Sequence, residues 1–335
     1  MTDQASKLRQ LVGDKTEYEQ AAPAAVAEDA ETDAGQAPEE ERGEEQASSE
    51  DAEVSASSDP AKLSLLEEDA NTRVIAVTSG KGGVGKTNLT VNLAIALGMA
   101  GQRVIVIDAD LGMANVDVVL GSMSRKHLLN LLEDDVELED VLVHGPYGVN
   151  YISGGSGIEK AQDFGTKDRS ILMKKLAGCG QMADIILVDT GAGLGKNVMD
   201  FILAADEVLL VTTPEPTALT DAYAVMKAYS MYSEKKNLHL VVNRVYEANE
   251  SKDVTEKLRK TAEKFLNMPV KCIGYIFEDK NVMMSVRRQQ PFLASQPKTV
   301  AAKCVKAMAD ALLYGKKMSV QNGWRGFLQQ IFNFS

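Results

Sequence analysis

The chain has 335 residues, 44% hydrophobic and 25% charged, and a formal net charge of -12. That length suits one large α/β domain or two smaller ones with an ample core. The acidity is local: residues 17–60 hold fifteen Asp and Glu against one base, Arg42, a net of -14 that leaves +2 elsewhere, so bulk charge gives no ground for nonspecific nucleic-acid binding.

Cys179, Cys272 and Cys304 are odd in number, far apart and free of C-x-x-C spacing, which excludes a disulfide framework and a cysteine zinc site. The start, MTDQASKLRQLV, lacks a signal-peptide apolar run, and no window approaches ~18 uncharged apolar residues. A cytoplasmic chain is expected.

In chain order, residues 1–15 form a helix-capable segment with Leu8 and Leu11 at helical spacing. Residues 16–72 read as an acidic, largely disordered linker, because Ala, Glu, Ser and Pro dominate and few large apolar groups can offset chain entropy. Residues 73–314 read as the catalytic domain. There, Val74-Ile75-Ala76-Val77 and the runs 104–107, 185–188, 208–211, 238–242 and 271–276 are mostly continuous rather than alternating. Strands buried on both faces read that way, and helical stretches separate most of them at βαβ spacing. The predicted fold is an α/β, doubly wound, mostly parallel sheet with its ligand site beyond the carboxyl ends of the strands. Residues 315–335 are a tail ending in an amphipathic stretch.

The stretch 73–90, RVIAVTSGKGGVGKTNLT, holds a phosphate-binding loop in which Gly80, Gly85, Lys86 and Thr87 fit G-x-x-x-x-G-K-[ST]. Across Gly80, Lys81, Gly82, Gly83, Val84 and Gly85, glycines let successive N–H groups turn toward phosphate oxygens. Lys86 can reach the β/γ-phosphates, the Thr87 hydroxyl can ligate Mg²⁺, and a helix from Asn88 to Met99 adds its dipole. Lys81 is one lysine too many: it either crowds the same phosphates or points at those of another molecule. Asp108 and Asp189 each terminate an apolar strand, where a carboxylate partner of Mg²⁺ belongs. Asp110 is the candidate to orient an attacking water, with Lys86, Lys81 and Mg²⁺ neutralising the transferred group. His127, His144 and His239 sit apart and offer no competing catalytic group.

KGGVGKT with its early lysine, together with DADLGMANVD and VDTGAG, resembles the MinD/ParA class of deviant Walker A ATPases over residues 73–314. The resemblance implies a slow, Mg²⁺-dependent ATPase that dimerises around ATP, with Lys81 acting in trans on the partner's phosphates. Lys86 and Thr87 would act in cis, Asp110 on the water, and Asp108 and Asp189 around Mg²⁺. Asn243 and Arg244 match the pair that reads adenine, and Thr213-Pro214-Glu215 resembles the segment lining the ribose side, which gives Glu215 its place in the set. Phe277 stands where the class usually has proline.

The ends narrow the resemblance. Asp3, Gln4 and Ala5, with Leu8 and Arg9, are similar to the N-terminal element of the FlhG (YlxH/FleN) branch, the flagellar-number regulators. In that branch the element stimulates FlhF, a GTPase of the signal-recognition-particle type; flagellar switch-ring proteins and a flagellar transcription activator are further implied partners. Trp324, Phe327, Leu328, Ile331 and Phe332 fall at i, i+3, i+4, i+7 and i+8. At 1.5 Å per residue this helix is only about 18 Å long, so it would lie on a membrane rather than cross it. The alternatives are that this face docks on the protein's own domain or on a partner, or that membrane and docked states alternate. The reading is a cytosolic ATPase switch, reversibly peripheral on the inner face of the cell membrane, that controls flagellar number or placement. A DNA-segregation ATPase of the ParA type and a division-site regulator of the MinD type are the rivals.

Overall fold

The computed structural model describes residues 72–110, 115–122, 124–154, 165–233, 237–315 and 323–333. Asp3, Gln4, Ala5, Leu8 and Arg9, with the whole acidic linker up to residue 71, lie outside the described residues.

Eight strands form one sheet: β1 (Arg73–Ser79), β2 (Val104–Ala109), β3 (Leu142–His144), β4 (Val149–Ile152), β5 (Ile185–Ala192), β6 (Glu207–Thr212), β7 (Leu238–Val245) and β8 (Lys271–Phe277). Their order is β3-β4-β2-β5-β1-β6-β7-β8. Every pairing is parallel except β3 with β4. The helices, in chain order, are α1 (Lys86–Met99), α2 (Val116–Leu120), α3 (Leu138–Val141), α4 (Thr166–Leu176), α5 (Cys179–Met182), α6 (Lys196–Ala204), α7 (Pro216–Tyr232), α8 (Ala248–Leu266), α9 (Lys280–Arg287), α10 (Phe292–Ser295), α11 (Val300–Tyr314) and α12 (Gly323–Asn333).

The continuous apolar runs are the physical cause of this architecture. Successive side chains of a strand point to opposite faces, so a strand covered on both sides needs apolar residues at every position. Val74 and Ala76 enter one core with Ile186, Val188 and Leu210, beneath α4, α6, α7 and α8. Ile75 and Val77 enter the other with Leu187 and Leu209, beneath α1 and α11. All six apolar runs are strands. The sequence reading missed β3 and β4, which are only three and four residues long and are joined by a tight turn with Tyr147 in the left-handed region at φ 58°.

The amphipathic tail is docked on the chain's own domain. Trp324, Phe327 and Leu328 are 1, 2 and 2% exposed and belong to the first core, so the face assigned to a bilayer is turned inward. Trp324 Nε1 donates to the Leu176 carbonyl at 2.6 Å, an acceptor left over at the carboxyl end of α4, and Phe327 stacks between Trp324 and Phe201 of α6. Ile331 and Phe332 are partly buried against the same core. No helix among the described residues is long and apolar enough to cross a membrane.

Candidate nucleotide-binding site

β1 delivers the phosphate loop at the centre of the sheet, and α1 begins at Lys86. Two of its glycines are obligatory for different reasons. A Cβ on Gly80 would lie 2.3 Å from the Asp221 carbonyl carbon, so the loop's first residue is pressed against the backbone of α7. Gly85 has φ +94°, and a Cβ there would meet Asn243 Nδ2 at 2.3 Å.

The two lysines of the loop occupy different environments. Lys86 is 8% exposed and its Nζ lies 3.0 Å from Asp189 Oδ1. Thr87 Oγ1 donates to Asp189 Oδ2 at 2.7 Å, and Thr90 Oγ1 donates to Oδ1 at 2.9 Å. Thr90 escaped the motif reading, although it sits one helical turn beyond Lys86 on the same face of α1. Lys81 is instead exposed, with Nζ 3.0 Å from Glu215 Oε2 and 3.0 Å from Thr217 Oγ1 at the start of α7. Thr217 was likewise not singled out from sequence.

Asp108 and Asp189 are registered opposite each other on adjacent parallel strands. Both are fully buried. Burial, and then the Asp189 charge, push the Asp108 carboxyl up to about 7, against hydrogen bonds from the Asp110, Asn115 and Val116 N–H groups. Two buried carboxylates beside a threonine hydroxyl form an oxygen donor set that suits Mg²⁺, which binds through one or two carboxylates and completes its shell largely with phosphate and water. Among the described residues no group of three or more His, Cys, Asp or Glu side chains could hold a metal by itself. Asp110 hangs over Gly191 at the end of β5, where a Cβ would lie 3.8 Å from its Oδ1.

Beside the loop lies a cleft of about 400 Å³, lined among others by Asn88, Asn243, Arg244, Phe277, Met283 and Phe292. Asn243 Nδ2 donates to the Val84 carbonyl at 2.7 Å, which ties the cleft to the phosphate loop. Arg244 is exposed and holds φ 56°, a cost accepted where its N–H donates to Asn243 Oδ1 at 2.9 Å. Phe277 meets Tyr275 edge to face, with ring centroids 5.2 Å apart, and so supplies an aromatic wall in place of proline. Buried Asn92 of α1 accepts from Leu293 N at 2.8 Å and donates to the Asn88 carbonyl at 2.7 Å, fixing Phe292 at the cleft floor.

A parallel sheet with a glycine-rich loop entering a buried helix, two strand-end carboxylates and an adjoining cleft define a nucleotide-binding domain of the P-loop type. A family model, the CobQ/CobB/MinD/ParA nucleotide binding domain, matches residues 75–292, and the chain belongs to that family. It is 39% identical to the antiactivator FleN of Pseudomonas aeruginosa over 71% of this chain and 85% of that protein. It is 34% identical to the flagellum site-determining protein YlxH of Helicobacter pylori over 75% of this chain and 85% of that one. Among solved structures, the septum site-determining protein MinD complexed with Mg-ADP from Pyrococcus horikoshii superposes with a TM-score of 0.59 at 29% identity, covering 74% of this chain and 100% of that one.

Proposed function

We propose that the chain is an ATP-dependent dimerising switch that hydrolyses ATP slowly and regulates flagellar number or placement. The observation that carries the switch is the separation of the loop's two lysines: Lys86 lies inside the cradle on Asp189, while Lys81 stands outside it on Glu215 and Thr217. A lysine on the rim, free to exchange an exposed carboxylate for a phosphate, suits a contact made across two copies. The flagellar output is drawn from the likeness to the flagellum site-determining protein YlxH.

In this reading the N–H groups from Gly80 to Gly85 hold the phosphates, with Lys86 and Thr87 displacing their hydrogen bonds to Asp189 onto the nucleotide. Asn88 flanks the phosphates, and Asn243, Arg244 and Phe277 bound the base. Mg²⁺, when bound through Thr87 with Asp108 and Asp189, would neutralise charge on the phosphate oxygens. Asp110 orients a water whose oxygen attacks the γ-phosphorus as the bond to the β,γ-bridging oxygen breaks, giving ADP and phosphate. Lys81 of the second copy stabilises the spreading charge, which makes hydrolysis depend on dimerisation. The docked α12 adds a second level. Membrane residence through Trp324, Phe327, Leu328, Ile331 and Phe332 requires that helix to leave its groove, and two released helices in one dimer would bind with avidity. Asp3, Gln4, Ala5, Leu8 and Arg9 would serve an FlhF-type GTPase, with flagellar switch-ring proteins and a transcription activator as further partners.

The test is chromosomal replacement with Asp110→Ala. The expected cells carry an altered number of flagella per cell, and the purified variant keeps ATP but turns it over at least about tenfold more slowly. Normal flagellation in a strain lacking the gene altogether would sink the flagellar assignment, and wild-type turnover by the variant would remove Asp110 from the site.

A further inference from the structure

Asp108 and Asp189 lie opposite each other on neighbouring strands, yet they are held by different means. The Asp108 carboxylate accepts from three backbone N–H groups, those of Asp110, Asn115 and Val116, at 3.1, 2.9 and 3.1 Å. Those donors belong to the chain that follows β2 and not to the phosphate loop. Asp189 is held through side chains of α1. Its Oδ1 meets Lys86 Nζ at 3.0 Å and accepts from Thr90 Oγ1 at 2.9 Å, and its Oδ2 accepts from Thr87 Oγ1 at 2.7 Å.

Nucleotide binding, as proposed above, takes two of these donors away. Lys86 passes to the phosphates and Thr87 to Mg²⁺, which leaves Thr90 as the side chain still holding Asp189. Asp189 is fully buried, and a buried carboxylate stripped of donors carries its whole desolvation penalty. Thr90 is fully buried as well, one helical turn beyond Lys86. Its one hydroxyl hydrogen is divided between Asp189 Oδ1 and the Lys86 carbonyl, 3.1 Å away. That carbonyl already accepts an N–H within the helix, so the hydroxyl can turn wholly to Asp189 when the Lys86 ammonium departs.

On the reading that Thr87, Asp108 and Asp189 take Mg²⁺, we propose that Thr90 is the positioning residue of that site. Its hydroxyl anchors Oδ1 and thereby keeps Oδ2 on the side of Thr87, the residue through which Mg²⁺ would bind. Thr90 acts through Asp189, in the way that outer hydrogen bonds orient metal-binding carboxylates. A β-branched side chain suits the task, because the helix leaves it few rotamers and the hydroxyl stays aimed. Thr90 therefore sets how much Mg²⁺ adds to nucleotide affinity. Asp108, with its backbone donors, needs no such residue.

The experiment is calorimetric titration of the full chain with ADP, from excess chelator to saturating Mg²⁺. ADP keeps hydrolysis out of the measurement. Thr90→Val removes the hydroxyl and keeps the branched shape, whereas Thr90→Ser keeps the hydroxyl. The half-saturating Mg²⁺ concentration should rise at least about tenfold in Thr90→Val and return toward the wild-type value in Thr90→Ser. In chelator, where Thr87 can stay on Asp189, all three proteins should bind ADP alike. Thr90→Ala removes the hydroxyl without setting a methyl beside the carboxylate; it should shift in the same direction, and it serves if the valine variant does not fold. A Mg²⁺-dependent wild type with unshifted valine and alanine variants would overturn the role of Thr90 and leave the Mg²⁺ reading standing. So would an equal loss of ADP affinity with and without Mg²⁺, or a serine variant as impaired as the valine one. Wild-type ADP affinity that ignores Mg²⁺ would overturn both.

Discussion

Lys81 and Lys86 leave one loop and meet carboxylates of very different character. Asp189 is fully buried and holds Lys86 with two threonine hydroxyls, whereas Glu215 is 57% exposed and holds Lys81 in a pair open to solvent. An exposed pair contributes about 0–1 kcal/mol, so it holds Lys81 at little cost to its release. Glu215→Gln should therefore lower the ATP concentration needed for dimerisation by no more than about fivefold, read as mass against nucleotide in light scattering. A higher requirement would mean that Glu215 serves as a nucleotide ligand instead. A second residue-scale feature sits at the opposite end of the strands. Glu207 is buried, which alone would raise its carboxyl, but hydrogen bonds from His239 and Arg73 overcome burial and bring it down to about 2. A depressed carboxylate stabilises the fold above its unfolded value and loses that contribution as pH falls toward its folded one. Thermal melting should thus decline from about pH 4.5 to pH 2, by an amount on the order of 3 kcal/mol at full loss. Glu207→Gln should flatten that decline while lowering stability at neutral pH; an unchanged acid profile would remove Glu207 as its source.

The elements differ in how much of them the sequence declared. The phosphate loop, α1 and the six continuous apolar runs were legible because burial on both faces leaves no polar alternation, and because only glycines can bring N–H groups toward phosphate. β3 and β4 were not: Asn150 interrupts a four-residue strand, and a three-residue edge strand makes no periodic signal. The tail shows a different limit. Its i, i+3, i+4 spacing declares an apolar face but not what covers it, and the groove between α4 and α6 with a free carbonyl at Leu176 is assembled from residues more than a hundred positions away. Trp324 is the chain's one tryptophan and reports on that groove directly. Its emission should be blue-shifted without ATP and, with no vesicles present, move to the red if ATP binding releases α12 into water. An ATP-insensitive spectrum would make α12 a fixed part of the core. Trp324→Ala should cost about 3–5 kcal/mol in the docked state, measured by denaturant unfolding.

At the scale of the molecule, the sheet gathers onto its carboxyl edge what the sequence scatters. Lys86, Asp108, Asp189 and Asn243 lie as many as 157 positions apart in the chain. β5 lies between β1 and β2, and β6 and β7 follow on the other side of β1, so their ends converge around one loop. That convergence explains why a reading by motif named residues that the fold brings together and did not name Thr90 and Thr217. Each of those carries an ordinary residue type at a position whose meaning depends on the partner that the fold brings to it. Of the cleft beside the loop, Asn243 and Arg244 were named from sequence, but Met283 and Phe292 come from a segment with no motif of its own. The central claim is that ATP acts as a dimerisation signal through Lys81. Light scattering on Asp110→Ala with ATP should give the mass of a dimer, and Lys81→Ala combined with Asp110→Ala should give a monomer that still binds ATP; a double variant that remains dimeric would contradict the account.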